Sequence, residues 1–110
     1  MMKQLRLGLG LSILGFFVSC SASLPSAKTA QSVATSYFQS YGNKYKTSPF
    51  AGKNLAKVAI NQIEPVSDKH VQVDALTNFK DGRTSRVLIK MENKLPGGWR
   101  VESWEFLDGQ

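Results

Sequence analysis

The stretch His70-Val71-Gln72-Val73-Asp74-Ala75-Leu76-Thr77-Asn78-Phe79, followed by Asp81-Gly82 and then by Arg83 to Glu92, decides the fold. Side chains alternate between the two faces of an extended strand, so a period of two in polarity marks a half-buried strand. Here Val71, Val73, Ala75, Thr77 and Phe79 face one way, and His70, Gln72, Asp74, Leu76 and Asn78 face the other. In the second run Val87, Ile89 and Met91 share a face, with Arg86, Leu88, Lys90 and Glu92 opposite. Asp81-Gly82 supplies the tight turn expected of a hairpin, so the two runs form an antiparallel pair.

Working outward, two more strands flank this hairpin. Before it, Leu55 to Ile63 places Ala56, Val58 and Ile60 at alternate positions, and Pro65 suits an edge or a strand end. After it, Pro96-Gly97-Gly98 turns the chain into Trp99 to Leu107. Upstream, Ala27, Ala30, Val33, Ala34, Tyr37, Phe38 and Tyr41 recur at three- and four-residue steps, the period of an amphipathic helix. Ser26 is its expected N-cap, and Gly42 is expected to end it in the left-handed conformation. Asn43 to Asn54 reads as a polar loop whose Tyr45 and Phe50 either anchor it or are offered to a partner. The expectation is an α+β domain: one N-terminal helix packed on a four-stranded antiparallel meander.

The last strand carries a conflict of phase. Trp99 and Val101 share one parity, Trp104 and Phe106 the other. A continuous strand therefore puts Trp104 and Phe106 with Leu76 and Leu88 on the face away from the helix, as an aromatic patch for a partner. The competing arrangement is a bulge near Glu102-Ser103, or a curled sheet, that returns Trp104 to the core. A second candidate site is an apolar ligand pocket between helix and sheet, lined by Tyr37, Phe38, Tyr41 and Trp99. The simpler reading of that aromatic stripe is the packed face of the helix.

The first residues describe a processing route. Lys3 and Arg6 precede an apolar run from Leu7 to Val18, interrupted by Gly8, Gly10, Ser12 and Gly15. A permanent span needs roughly 20 apolar residues, so this run has the length of a secretory signal's hydrophobic region instead. It ends at Phe17-Val18-Ser19-Cys20, which contains the only cysteine of the chain. An exported chain with one thiol forms no internal disulfide, and that thiol needs a purpose.

Those four residues resemble the lipobox of bacterial lipoproteins, with Phe17 standing where leucine is usual. The resemblance implies a diacylglyceryl thioether on Cys20, cleavage before it and N-acylation after cleavage. In a Gram-negative host, Ser21 rather than aspartate after the cysteine implies sorting to the outer membrane, facing the periplasm. The organisation expected is a signal peptide over 1–19, a lipidated tether over 20–25 and a single domain over 26–110. Removing 1–19 from 110 residues leaves 91, with twelve basic and eight acidic residues and a net charge of +4.

The helix-then-meander order, with Gly98-Trp99-Arg100-Val101 opening the last strand, resembles the cystatin-like and NTF2-like folds. The Pro96-Gly97-Gly98-Trp99 hairpin is similar to the second hairpin of cystatin protease inhibitors. Their central Gln-Val-x-x-Gly loop has no counterpart here, so protease inhibition is not implied.

Catalysis needs titratable groups held close together with tuned proton affinity. His70 is the only histidine, and by its neighbours Asp68 and Lys69 it reads as a solvated residue at a strand start. Asp74 has no second carboxylate at a spacing that suggests a pair, and no phosphate loop, metal-ligand motif or dinucleotide fingerprint is present. The bases are scattered with acids among them, which argues against nucleic-acid binding. The expectation is therefore a non-catalytic chain with no metal and no cofactor beyond the lipid. It is held to a membrane and works as an interaction module or subunit of an envelope assembly of the secretion, conjugation or pilus type. The alternative is a binding protein for a small apolar ligand.

Overall fold

The structure is a computed structural model that describes residues 24–108. The expected signal peptide, the Cys20 junction and most of the expected tether lie outside the described residues. Helix α1 spans Ala27–Lys44, a 3-10 turn covers Ala51–Lys53, and the strands are β1 (Leu55–Ser67), β2 (His70–Phe79), β3 (Thr84–Lys94) and β4 (Gly98–Phe106). All neighbours are antiparallel and in sequence order, a four-stranded meander carrying one helix. No helix among the described residues is long and apolar enough to cross a membrane.

The helix starts where a cap is available. The Ser26 hydroxyl accepts from the Thr29 backbone N–H at 3.0 Å, satisfying a donor the first turn leaves free, a bond worth about 1 kcal/mol. Ala30, Ala34, Phe38 and Gly42 recur every four residues on one face and are buried. Gly42 does not end the helix, which runs on to Lys44. Its role is close approach: a Cβ at this position meets the Phe50 carbonyl oxygen at 2.1 Å. The loop backbone rests directly on the helix because glycine stands there.

The central hairpin follows its polarity pattern. Val71, Val73, Ala75, Thr77 and Phe79 of β2 and Ser85, Val87, Ile89 and Met91 of β3 are all buried beneath the helix. The buried Thr77 side chain costs little, because its hydroxyl donates to the Ser85 carbonyl at 2.8 Å.

Strand β1 departs from simple alternation. Its pairing with β2 shifts by one residue between Leu55 and Lys57, between Ile60 and Gln62, and between Pro65 and Ser67. Each shift skips one residue, so Leu55, Val58, Ile60, Ile63 and Pro65 stand opposite Phe79, Thr77, Ala75, Val73 and Val71. Ala56, expected in phase with Val58, is the skipped residue and is exposed. Bulges and a proline also blunt this edge, since they interrupt the row of free N–H and C=O groups another strand needs. The helix lies nearest the two edge strands β1 and β4, so the sheet curls around it. Gln31 fixes one side by donating from Nε2 to the Val58 carbonyl at 2.8 Å.

Candidate functional site

The fourth strand settles the phase conflict with a bulge. Lys90 pairs with Ser103 and Met91 with Val101, which leaves Glu102 as an extra residue. Trp104 then faces Ile89 and Phe106 faces Val87, both core positions, while Val101 still faces Met91. All four apolar residues of β4 therefore share the helix side, where they pack against the core.

The patch of Leu76, Leu88, Trp104 and Phe106 expected on the far face is thus not assembled. Trp104 meets Phe38 edge-on at 5.2 Å, Tyr41 at 5.3 Å and Phe50 at 5.6 Å, and Phe106 stacks on Phe50 at 5.9 Å. Leu76 and Leu88 remain on the helix-free face, half-buried among Asp74, Arg86 and their neighbours. The physical reason is the inserted residue: one extra position in β4 exchanges the faces of everything beyond it.

The aromatic stripe of the helix is mostly packing. Phe38 is fully buried, with its ring stacked on Phe50 at 4.4 Å and an interplanar angle of 13°. Phe50 thereby anchors its loop, while Tyr45 is exposed. Tyr37, Phe38, Tyr41 and Trp99 do not line one cavity between helix and sheet, because Phe38 and Phe50 fill that space. Tyr37 and Tyr41 instead border a shallow groove of about 220 Å³ with Ser40, Lys44 and Tyr45. Trp99 stands opposite Asn93, beyond the bulge from Trp104.

On the helix-free face Asp74 pairs with Arg86, its Oδ2 lying 2.8 Å from Nη2. Arg86 also holds the chain after β4, its backbone N–H donating to Asp108 at 2.9 Å and its carbonyl accepting from Leu107 at 2.9 Å. At the hairpin turn the Asp81 carboxylate accepts from the Arg83 backbone N–H at 3.0 Å and from Asn54 at 3.2 Å. The Arg83 backbone N–H is the chief cause that holds this carboxyl below its ordinary value; desolvation opposes it, and Asn54 and the Arg83 guanidinium add to the lowering.

A constellation that residue spacing did not disclose lies at the other end of the same face. His70 Nε2 is 3.7 Å from Glu92 Oε2 and 3.9 Å from Glu102 Oε1. His70 Nδ1 is 2.9 Å from the Ser67 hydroxyl, which fixes the ring's orientation. His70 is thus a half-exposed member of a cluster and not a free loop residue. The three donor atoms lie within 4.8 Å of one another, a proximity that the sequence spacing does not disclose. The hairpin register sets His70 opposite Glu92, and the bulge supplies Glu102. The shared parity of His70 and Glu92 is visible in the sequence, whereas the bulge that adds Glu102 is fixed only by the β3–β4 register.

Comparison with protein-family models, with curated proteins and with solved structures returned no match to this chain.

Proposed function

We propose that the chain is an exported lipoprotein whose domain serves as a non-catalytic interaction module of an envelope assembly. The observation that carries this reading is the junction Phe17-Val18-Ser19-Cys20, where an apolar run of signal length ends on the chain's only cysteine. Acylation gives that thiol a purpose. Each buried methylene contributes about 0.8 kcal/mol, so two or more acyl chains hold a protein firmly at a bilayer. In a Gram-negative host the chain sits on the outer membrane and faces the periplasm.

The helix cap at Ser26 supports a close tether. The six residues from Ser21 to Ser26 reach at most about 20–22 Å when extended, so the domain stays near the lipid surface. Its partner is another envelope protein. With Trp104 and Phe106 taken up beneath the helix, the surface offered is the helix-free face around Leu76 and Leu88.

Metabolic labelling with a clickable fatty acid tests the anchor. The native chain is expected to take up label and Cys20→Ser to take up none. Equal labelling of both variants overturns the lipoprotein reading. A photo-crosslinker at position 88, compared with one at position 36 on the exposed side of the helix, tests the face. A specific envelope protein captured from 88 and not from 36 is the expected result, and equal or absent capture from both overturns it.

A further inference from the structure

We propose that His70, Glu92 and Glu102 form a binding site for a divalent transition-metal ion, with Zn²⁺ the best fit to the donor set. The three side chains come from three strands, at the start of β2, near the end of β3 and in the bulge of β4. One imidazole nitrogen and two carboxylate oxygens converge within 4.8 Å. Tetrahedral coordination at about 2.0–2.1 Å places donors about 3.3 Å apart. The observed 3.7 and 3.9 Å from His70 exceed this by about half an ångström or less. The two carboxylate oxygens, within 4.8 Å of each other, draw together by at most about 1.5 Å through rotation of the flexible glutamate side chains.

Electrostatics points the same way. Neither Glu92 nor Glu102 has a lysine or arginine partner within 4.0 Å among the described residues; the group they share is His70. Two carboxylates facing a single imidazole have a net charge of −2 when that ring is neutral, which matches a divalent cation. Transition ions favour a set that includes imidazole, whereas magnesium and calcium favour oxygen donors alone. The Ser67 hydroxyl on Nδ1 plays the part of the outer hydrogen bond that orients a ligating histidine and leaves Nε2 for the metal. A recess of about 220 Å³, bordered by Val66, His70, Gln72, Lys90 and Glu102 among others, gives an ion and its water access to the site. The three protein donors leave a coordination position for that water, or for a carboxylate or imidazole of a bound partner. The site does not depend on the lipoprotein reading.

His70 is the chain's only histidine, so its imidazole gives the only histidine ring signals in a ¹⁵N spectrum. The test titrates ZnCl₂ into chelator-treated full chain in detergent and follows those signals at constant pH. A saturable shift of Nε2 complete near one equivalent, reversed by EDTA and weakened about tenfold or more in Glu102→Gln, is expected. Ring signals that ignore Zn²⁺ and move only with pH overturn the proposal and make the cluster a protonated-imidazole ion pair. A shift undiminished in Glu102→Gln, or one that needs a large excess of metal, also overturns it. Because the readout is the His70 ring, zinc captured by an unacylated Cys20 does not imitate the result.

Discussion

Trp104 stands opposite Ile89 in the β3–β4 ladder and meets the ring of Phe38 edge-on at 5.2 Å, which makes it a side chain of the helix–sheet core. One unpaired residue, Glu102, puts it there. The relationship takes Trp104 off the helix-free face and gives the half-buried indole a structural role.

Trp104→Ala is expected to lower stability by about 3 kcal/mol, since it removes a large ring from contact with Phe38, Phe50 and Tyr41. Urea denaturation followed by far-UV circular dichroism measures it. A loss below about 1 kcal/mol places the indole outside the core.

Deleting Glu102 is expected to keep the fold. Without it Val101, Ser103, Trp104, Glu105 and Phe106 alternate cleanly, so Val101, Trp104 and Phe106 still face the helix. Stability stays within about 1 kcal/mol of the native chain, as the bulge is a local feature. Deleting Glu105 instead turns Phe106 outward, and about 2–3 kcal/mol is lost. Comparing the two deletions by chemical denaturation locates the bulge; equal losses contradict the register described.

Gly42→Ala is expected to destabilise although alanine is the better helix former by roughly 1 kcal/mol. The added methyl collides with the Phe50 carbonyl at 2.1 Å, so the loop must lift from the helix. A net loss of about 1–3 kcal/mol follows the usual cost of overpacking. A rise in Tm shows that the glycine serves no close approach.

Asp81 sets an acid limb of stability. Its folded carboxyl titrates below the ordinary value of 3.8, chiefly because the Arg83 backbone N–H bonds the charged form. A depressed folded pKa adds stability at pH above the unfolded value, and this is lost as pH falls through the folded one. The native chain is therefore expected to lose stability more steeply than Asp81→Asn as pH drops below 3.8. Tm profiles of the two proteins check this, and parallel profiles contradict it.

Much of the fold was legible because local patterns and long-range packing agree. The Asp81-Gly82 hairpin, the buried set from Val71 to Met91 and the capped helix from Ser26 all follow from period and turn chemistry. Less was legible in β1, where three skipped residues re-phase the strand against its partner. A bulge leaves no mark in composition, so the exposure of Ala56 required the pairing itself. The aromatic stripe is evident from its period, whereas what covers it is not. Phe50 lies in a loop of polar character, and its stacking on Phe38 depends on the loop's path across Gly42.

By itself the sequence determined the elements and their order, one amphipathic helix and four strands, because helix period, strand alternation in the central hairpin and turn chemistry are all set within a few residues. It also contains the apolar run of signal length and the lipobox-like residues on which the proposed function rests. Only the tertiary structure decided which face Trp104 and Phe106 occupy, why Gly42 is glycine and which side chains meet at His70. These are relations between residues distant in sequence, where a one-residue slip in register exchanges the two faces of a strand. Glu102 is the point where that slip is made: it turns the indole inward and supplies the third member of the His70 cluster.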